Sequence, residues 1–328
     1  MKLINVGIVG ITGLVGQTIL DILEKSTLPI GKLYVYASSR SAGKTVKFKE
    51  EHIKIKALNK DSFSDPLDIV LFAVEGDLAQ IYAPIASQKG IYVIDNSSAF
   101  RMDDDIPLVV PEVNSSILNK NNYLIANPNC STIQSVVALD SVHKLFQLTD
   151  INYTTYQAVS GSGVSGIEDL DRTTKGEAPA FYPKQIYDNV IPQIDQFLDN
   201  GYTKEELKMI FETQKILGTR LNITATAVRV PVKFGHSVQI HATTKQVIDM
   251  EQLIKAYELN KEIQVYTKNT YPTPQDGAGN NLVHIGRIRQ DLNHPNKLLL
   301  WTVADNVRKG AAYNAVQIAE HIYKEFIK

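Results

Sequence analysis

Apolar positions along the chain follow two different patterns. In the first third, short wholly apolar runs alternate with stretches at helical spacing. Leu3 to Val9 reads as a buried strand that ends in a glycine turn. Leu14, Val15, Ile19, Ile22 and Leu23 then share one helical face. Leu33 to Tyr36, Ile69 to Val74 and Tyr92 to Asp95 are further strands, with a helical segment from Leu78 to Gln88 between the last two. Alternation of this kind predicts a parallel, doubly wound sheet.

The middle of the chain changes period. Asp150 to Val159, Asn222 to Val232 and Ser237 to Val247 alternate polar and apolar residues, as strands of a half-covered antiparallel sheet do. A helix begins at Thr203, where Glu206 three residues on completes a capping-box signature. After a strand from Leu298 to Ala304, Lys309 to Phe326 is an amphipathic helix expected to pack back on the first domain. The expected division is therefore residues 1–128, joined by about 306–328, and residues 129–305.

Composition narrows the possibilities. The chain has 328 residues, of which 44% are hydrophobic and 21% charged, enough for about two globular domains. A formal net charge of −1 gives no field for nucleic acid or an anionic membrane. The longest apolar runs have strand length and are too short to span a bilayer. The N-terminal stretch lacks the cleavage site of a signal peptide. With one cysteine no intrachain disulfide can form, which fits a reducing, cytoplasmic setting. Seven histidines without ligand spacing and a single cysteine predict no metal site.

Candidate chemistry begins at the turn from Gly10 to Gly16. Its glycines permit a tight turn and close approach of a phosphate, and the following helix offers free N–H groups. The spacing is G-x-x-G-x-x-G, so a turn without ligand is the competing reading. The second strand ends in Ser38-Ser39-Arg40-Ser41. Three hydroxyls and an arginine stand where an NAD enzyme usually has an acid, which suits the 2′-phosphate of NADP.

The lone Cys130 lies in Asn127-Pro128-Asn129-Cys130, ahead of Ile133, Val136, Val137, Asp140 and Lys144 at helical spacing. A helix start there stabilises a thiolate. The dipole, up to about 2 kcal/mol, would lower a thiol from about 8.5 to roughly 7, so full ionisation needs a further cation such as a histidine. An isolated cysteine is more often inert and buried. In the second domain, Gln157 precedes a flexible-looking Ser160-Gly161-Ser162-Gly163. Arg229 sits between Val228 and Val230 in a strand, where it needs an anionic partner from protein or ligand, and His236 opens the next strand. Glu212 and Lys215 share a helical face, as an exposed ion pair also would. Arg101 follows a strand's C-terminal end, where ligands bind, although a solvated arginine reads equally well.

Taken in order, GITGLVG at 10–16, SSRSAG at 38–43, DNSSAFRM at 95–102, NPNCSTIQ at 127–134, SGSGVSG at 160–166, NVIPQID at 189–195, ETQKIL at 212–217, GHS at 235–237 and DNVRKGAAYNAVQIAE at 305–320 resemble the aspartate-semialdehyde dehydrogenase family from end to end. The resemblance implies an α/β chain with an N-terminal Rossmann-type doubly wound sheet, an α/β catalytic and dimerisation domain, and a C-terminal helix returning to the first domain. It implies Cys130 as the acyl-thioester nucleophile, His236 as acid/base and Gln157 beside them. It implies NADP held by Gly10, Thr12, Gly13, Leu14, Val15, Gly16, Ser38, Arg40, Ser41, Ser160, Gly161 and Asn306. Substrate and phosphate would meet Arg101, Asn129, Gln157, Glu212, Lys215 and Arg229. The implied substrates are aspartyl phosphate, aspartate semialdehyde and inorganic phosphate, on the route to lysine, threonine and methionine. The implied assembly is a homodimer or dimer of dimers, with no nucleic-acid or membrane partner. Two rivals remain at this point: an N-acetyl-glutamyl-phosphate reductase-like enzyme, and a non-catalytic NADP-binding sensor.

Overall fold

Successive residues of a strand face opposite sides of its sheet, so strands apolar throughout must be covered on both faces. The computed structural model, which describes residues 2–328, shows how each face is buried. The strands of the first unit are β1 (Ile4–Val9), β2 (Ile30–Ala37), the short hairpin β3 (Thr45–Phe48) and β4 (Glu51–Lys54), β5 (Lys56–Ala57), β6 (Ile69–Phe72), β7 (Tyr92–Asp95) and β8 (Leu124–Ala126). Apart from the hairpin they form one parallel sheet in the order β5-β2-β1-β6-β7-β8. On one face, Ile4, Val6 and Ile8 pack with Ile19 and Leu23 of α1 (Leu14–Lys25). On the other, Val9, Val70 and Phe72 pack with Ala79, Ala83 and Ala86 of α2 (Gly76–Ser87). The short α3 (Pro111–Asn114) follows β7. The strand order reverses at β1, the switch point at which ligands bind in such sheets.

The second unit is Asn129–Gly310. Its α4 (Cys130–Phe146) is buried along most of its length, with polar Ser131, Thr132, Gln134 and Ser135 among the enclosed residues. A helix buried all round is an internal element. The unit continues with β9 (Leu148–Gln157), α5 (Gly163–Thr174), α6 (Lys204–Leu217), β10 (Asn222–Arg229), β11 (His236–Thr244), α7 (Met250–Leu259), β12 (Ile263–Val265), α8 (Pro274–Gly277), β13 (Val283–Gln290) and β14 (Lys297–Ala304). The sheet order is β10-β9-β11-β14-β13-β12. The chain then re-enters the first unit at Ala311, where α9 (Tyr313–Ile322) contributes Ala315, Val316, Ile318, Ala319 and Ile322 to the α1 side of that core.

Four local expectations change. The second sheet is mixed: β9 pairs antiparallel with β11 but parallel with β10. Alternation marks a half-covered face without setting strand direction, and the long crossover through α5 and α6 makes the parallel pair. The Ser160–Gly163 stretch, expected to be flexible, takes a regular conformation, a 3-10 turn over Val159–Ser162 leading into α5. The final helix opens with a π turn, Arg308–Ala312, before α9. The break between units falls at Gly310/Ala311, which leaves Asn306 in the second unit. Among the described residues, no helix is long and apolar enough to cross a membrane.

The capping box forms as its sequence predicts. The Thr203 hydroxyl accepts the Glu206 N–H at 3.3 Å, and the Glu206 carboxylate accepts the Thr203 N–H at 2.7 Å. Thr203 is fully buried, so Thr203→Ala should cost about 1 kcal/mol. A urea-denaturation midpoint unchanged from the parent would contradict this.

Candidate active site

The first unit supplies an anion cradle. Gly10 has φ +89°, and a Cβ there would lie 2.2 Å from the Ala73 carbonyl oxygen. A Cβ on Gly16 would lie 2.2 Å from the Gly10 carbonyl oxygen. Neither position tolerates a side chain, and the turn stays flush with the start of α1. Gly13 caps α1 without a side chain, and the first turn contains no acid of its own to compete for its N–H groups and the positive end of its dipole. Thr12 is exposed, while Leu14 and Val15 are half-buried. Ser39–Ser41 form a 3-10 turn after β2, with Ser38 and Arg40 exposed and Ser41 half-buried. Arg101 is buried and donates from Nη2 to the Asn96 carbonyl at 2.8 Å, beside the buried Asp95.

In the second unit, Cys130 is the first residue of α4 and is half-buried. The Asn129 side chain caps the helix, its Oδ1 accepting from the N–H groups of Ser131 at 2.9 Å and Thr132 at 3.3 Å. The Asn129 N–H donates to Glu212 Oε2 at 2.6 Å. Glu212 is only 1% exposed, which removes the exposed ion-pair reading. Its bond also occupies an N–H that could otherwise have faced a reacting oxygen. Lys215 lies one turn further along α6 and is half-buried. Gly310 packs directly on Cys130: a Cβ at 310 would lie 2.7 Å from Cys130 Cβ.

Strand ends bring the remaining groups together. Gln157 ends β9, Arg229 ends β10 and His236 opens β11, and all three are buried. The Ala158 N–H donates to His236 Nδ1 at 3.0 Å, and the Ala158 carbonyl accepts from Arg229 Nη1 at 2.8 Å. A Cβ on Gly161 would stand 2.9 Å from Arg229 Nη1 and 3.1 Å from His236 Nε2, so a glycine there lets both groups close in. Asn306 bonds Ser160 at 2.9 Å through Nδ2 and accepts the Gly235 N–H at 3.1 Å, fixing the turn that leads into His236. Arg229 Nε and His236 Nε2 are buried without hydrogen-bond partners, the state of groups that await a ligand. Burial, then the Arg229 charge, holds His236 well below the ordinary value of 6.5. An Nδ1 that accepts an N–H leaves the proton on Nε2. The imidazole is therefore neutral, and it is not the cation anticipated to assist the thiol.

Sequence reasoning missed two contributors. Glu205 is buried; its Oε1 accepts from Asn129 Nδ2 at 2.8 Å and from Gln157 Nε2 at 3.1 Å. With Lys208, Glu212 and Lys215 it forms a charged stripe at i, i+3, i+7 and i+10, a legible face whose burial spacing does not reveal. The Tyr182 ring lies 5.9 Å from the Arg229 guanidinium. It is held there because Asp169 gathers the N–H groups of Ala180, Phe181 and Tyr182.

Comparison with known proteins places this arrangement. The model described as "Semialdehyde dehydrogenase, NAD binding domain" matches residues 5–121, and "Semialdehyde dehydrogenase, dimerisation domain" matches 139–309. The aspartate-semialdehyde dehydrogenase 2 of Vibrio cholerae is 45% identical over 98% of both chains, and that of Shewanella violacea 46% over 98% of both. The chain belongs to the aspartate-semialdehyde dehydrogenase family. A V. cholerae family member solved in complex with ASA matches with TM-score 0.96 at 44% identity, covering all of both chains. One from Candida albicans solved with NADP matches with TM-score 0.79 at 25% identity, covering 98% of both.

The packing of Gly310 on this family member's cysteine gives a direct test. Gly310→Ala must push Cys130 aside, and a displacement near 1 Å costs about a hundredfold in rate. Turnover should fall by about ten- to a hundredfold with the fold intact by circular dichroism; undiminished turnover would contradict the packing.

Proposed function

We propose that this chain catalyses the NADPH-dependent reductive dephosphorylation of aspartyl phosphate to aspartate semialdehyde, through an acyl-thioester on Cys130. The observation that carries the reading is the buried polar cluster that joins Asn129, Gln157, Glu205 and Glu212 at the N-terminus of the Cys130 helix. The glycine cradle fits a dinucleotide phosphate, and the Ser38–Ser41 turn with Arg40 suits a 2′-phosphate. Gly10, Thr12, Gly13, Leu14, Val15 and Gly16 would hold the phosphates, with Ser160, Gly161 and Asn306 toward the nicotinamide. NADPH, when bound, supplies the hydride that reduces the thioester.

The Cys130 thiolate attacks the acyl carbon, the carbon–oxygen bond to phosphate breaks, and phosphate leaves. Arg229 takes the substrate's α-carboxylate, Glu212 its ammonium, and Arg101 and Lys215 the phosphate. Gln157 contacts the bound substrate. His236 presents Nε2–H to the oxyanion, as a neutral imidazole can. No proton is needed to complete the reduction, because the alkoxide itself reforms the carbonyl and expels the Cys130 thiolate. His236 therefore stabilises charge by donation, and its depressed pKa keeps it in the donating neutral form at pH 7. The chain works as a homodimer built on the second unit, or as a dimer of dimers, in the cytoplasm.

The deciding assay is NADPH formation from aspartate semialdehyde with and without inorganic phosphate. Formation should depend on phosphate and vanish in Cys130→Ser; phosphate-independent or persistent activity would overturn the reading. His236→Ala should lose about 10²–10⁴ in turnover, whereas His236→Gln, which retains an amide donor in place of Nε2–H, should recover at least tenfold of that loss. Equal losses in the two variants would mean that proton transfer is obligatory. Arg229→Lys should raise KM at least tenfold by removing a forked carboxylate contact, and an unchanged KM would contradict that role.

A further inference from the structure

Glu205 takes no part in the chemistry just described, yet it binds two residues that do. It lies in the first turn of α6 and is 5% exposed. Its Oε1 accepts from Asn129 Nδ2 at 2.8 Å and Gln157 Nε2 at 3.1 Å, and its Oε2 faces Lys208 Nζ at 3.2 Å. Lys208 also meets Asp195 at 2.8 Å, which gives the 189–195 segment a purpose: its Ile191 pairs with the Arg229 backbone, and its Asp195 anchors this lysine.

An ionised carboxylate has no hydrogen to give, so any side-chain amide against it must turn its nitrogen inward. For Asn129 this leaves Oδ1 toward α4, where it caps Ser131 and Thr132. For Gln157 the amide nitrogen has two acceptors, Glu205 and the Thr155 hydroxyl at 3.3 Å, matching its two hydrogens. What Gln157 has left to offer is its carbonyl oxygen.

We propose that Glu205 is a positioning residue that sets the polarity of both amides, so that Gln157 meets the substrate as a hydrogen-bond acceptor and Asn129 caps the nucleophile's helix. This rests on the acyl-transfer reading above. Glu205 must stay ionised for the device to work. Burial raises its pKa, but the Lys208 charge, the hydrogen bonds from Asn129 and Gln157 and the Arg229 charge together hold it below the ordinary glutamate range. Lys208 lies against Asp195 as well as Glu205, and Glu212, which accepts the Asn129 N–H, is a further acid on the same helix. The position of Glu205 in the first helical turn adds the dipole to the side favouring the anion.

Glu205→Gln tests the proposal, because a glutamine has a hydrogen-bearing end that can turn either amide around. Turnover should fall at least tenfold while KM for NADPH changes less than twofold. Glu205→Gln combined with Gln157→Ala should be slower than Gln157→Ala alone by no more than the several-fold that the Asn129 arm contributes, since the Gln157 contact is then already lost. Losses that multiply, or turnover of Glu205→Gln within twofold of the parent, would overturn it. A second variant keeps the carboxylate and so guards against misfolding of the first. Lys208→Met removes the strongest influence favouring the anion, so the acid limb of the turnover profile should move to higher pH; an unmoved limb counts against the proposal. Alkylation of Cys130 by iodoacetamide reads the Asn129 arm without substrate. It should be several-fold faster in Glu205→Gln, because a nearby anion is lost and the cap loosens. An unchanged alkylation rate would refute that arm even if the parent proved inactive on aspartate semialdehyde, so the two readings fail separately.

Discussion

A glutamate carboxylate, 1% exposed, accepts the backbone N–H of the residue before the cysteine at 2.6 Å. That bond fixes where the Cys130 helix begins. A buried carboxylate needs such donors, because an unpaired charge in the interior is costly. The need runs both ways: α6 cannot shift along α4 without breaking the Glu212–Asn129 bond, and Asn129 cannot leave the cap without losing its bond to Glu205. Two acids on one helix thus define the position of Cys130 more tightly than apolar packing alone would, since hydrogen bonds are directional and hydrophobic contact is not. Gly310 completes the enclosure on the side where no side chain fits.

The same economy of groups governs the imidazole. Ala158 is used twice, its N–H fixing the His236 tautomer and its carbonyl holding Arg229. Both functional groups therefore depend on the backbone of a single residue, between Gln157 and the 3-10 turn. A histidine so buried, beside a permanent cation, is a poor proton acceptor, and it is well placed to donate from Nε2 to an oxygen gaining charge. This differs from a thiolate–imidazolium pair, in which the ring would be charged and both nitrogens would donate. The N-terminus of α4, where Cys130 stands, favours negative charge on the sulfur.

Much of this architecture can be read directly from residue spacing. The strands and helices of the first unit follow from continuous apolar runs and from the 3.6-residue period of α1, and the glycine turn from backbone positions that exclude a Cβ. The half-covered second sheet shows as alternation, but its parallel β9/β10 pair does not, because side-chain period carries no strand direction. The helix start at Cys130 and the capping box at Thr203 are local and legible. The burial of Glu205 and Glu212 is not, since alternating Glu and Lys along a helix usually marks a solvated face. Only the docking of α6 against α4 and β10 turns that stripe inward. Tyr182 and Asp169 escape notice for a similar reason: their service to Arg229 is long-range and leaves no periodic trace.

The proposed reaction passes through a covalent bond between the acyl group and Cys130. Incubating the chain with aspartyl phosphate in the absence of NADPH and mapping peptides by mass spectrometry reads it directly. An aspartyl adduct that hydroxylamine removes and NADPH discharges should appear on the Cys130 peptide. Phosphate release without any adduct on that peptide would contradict it.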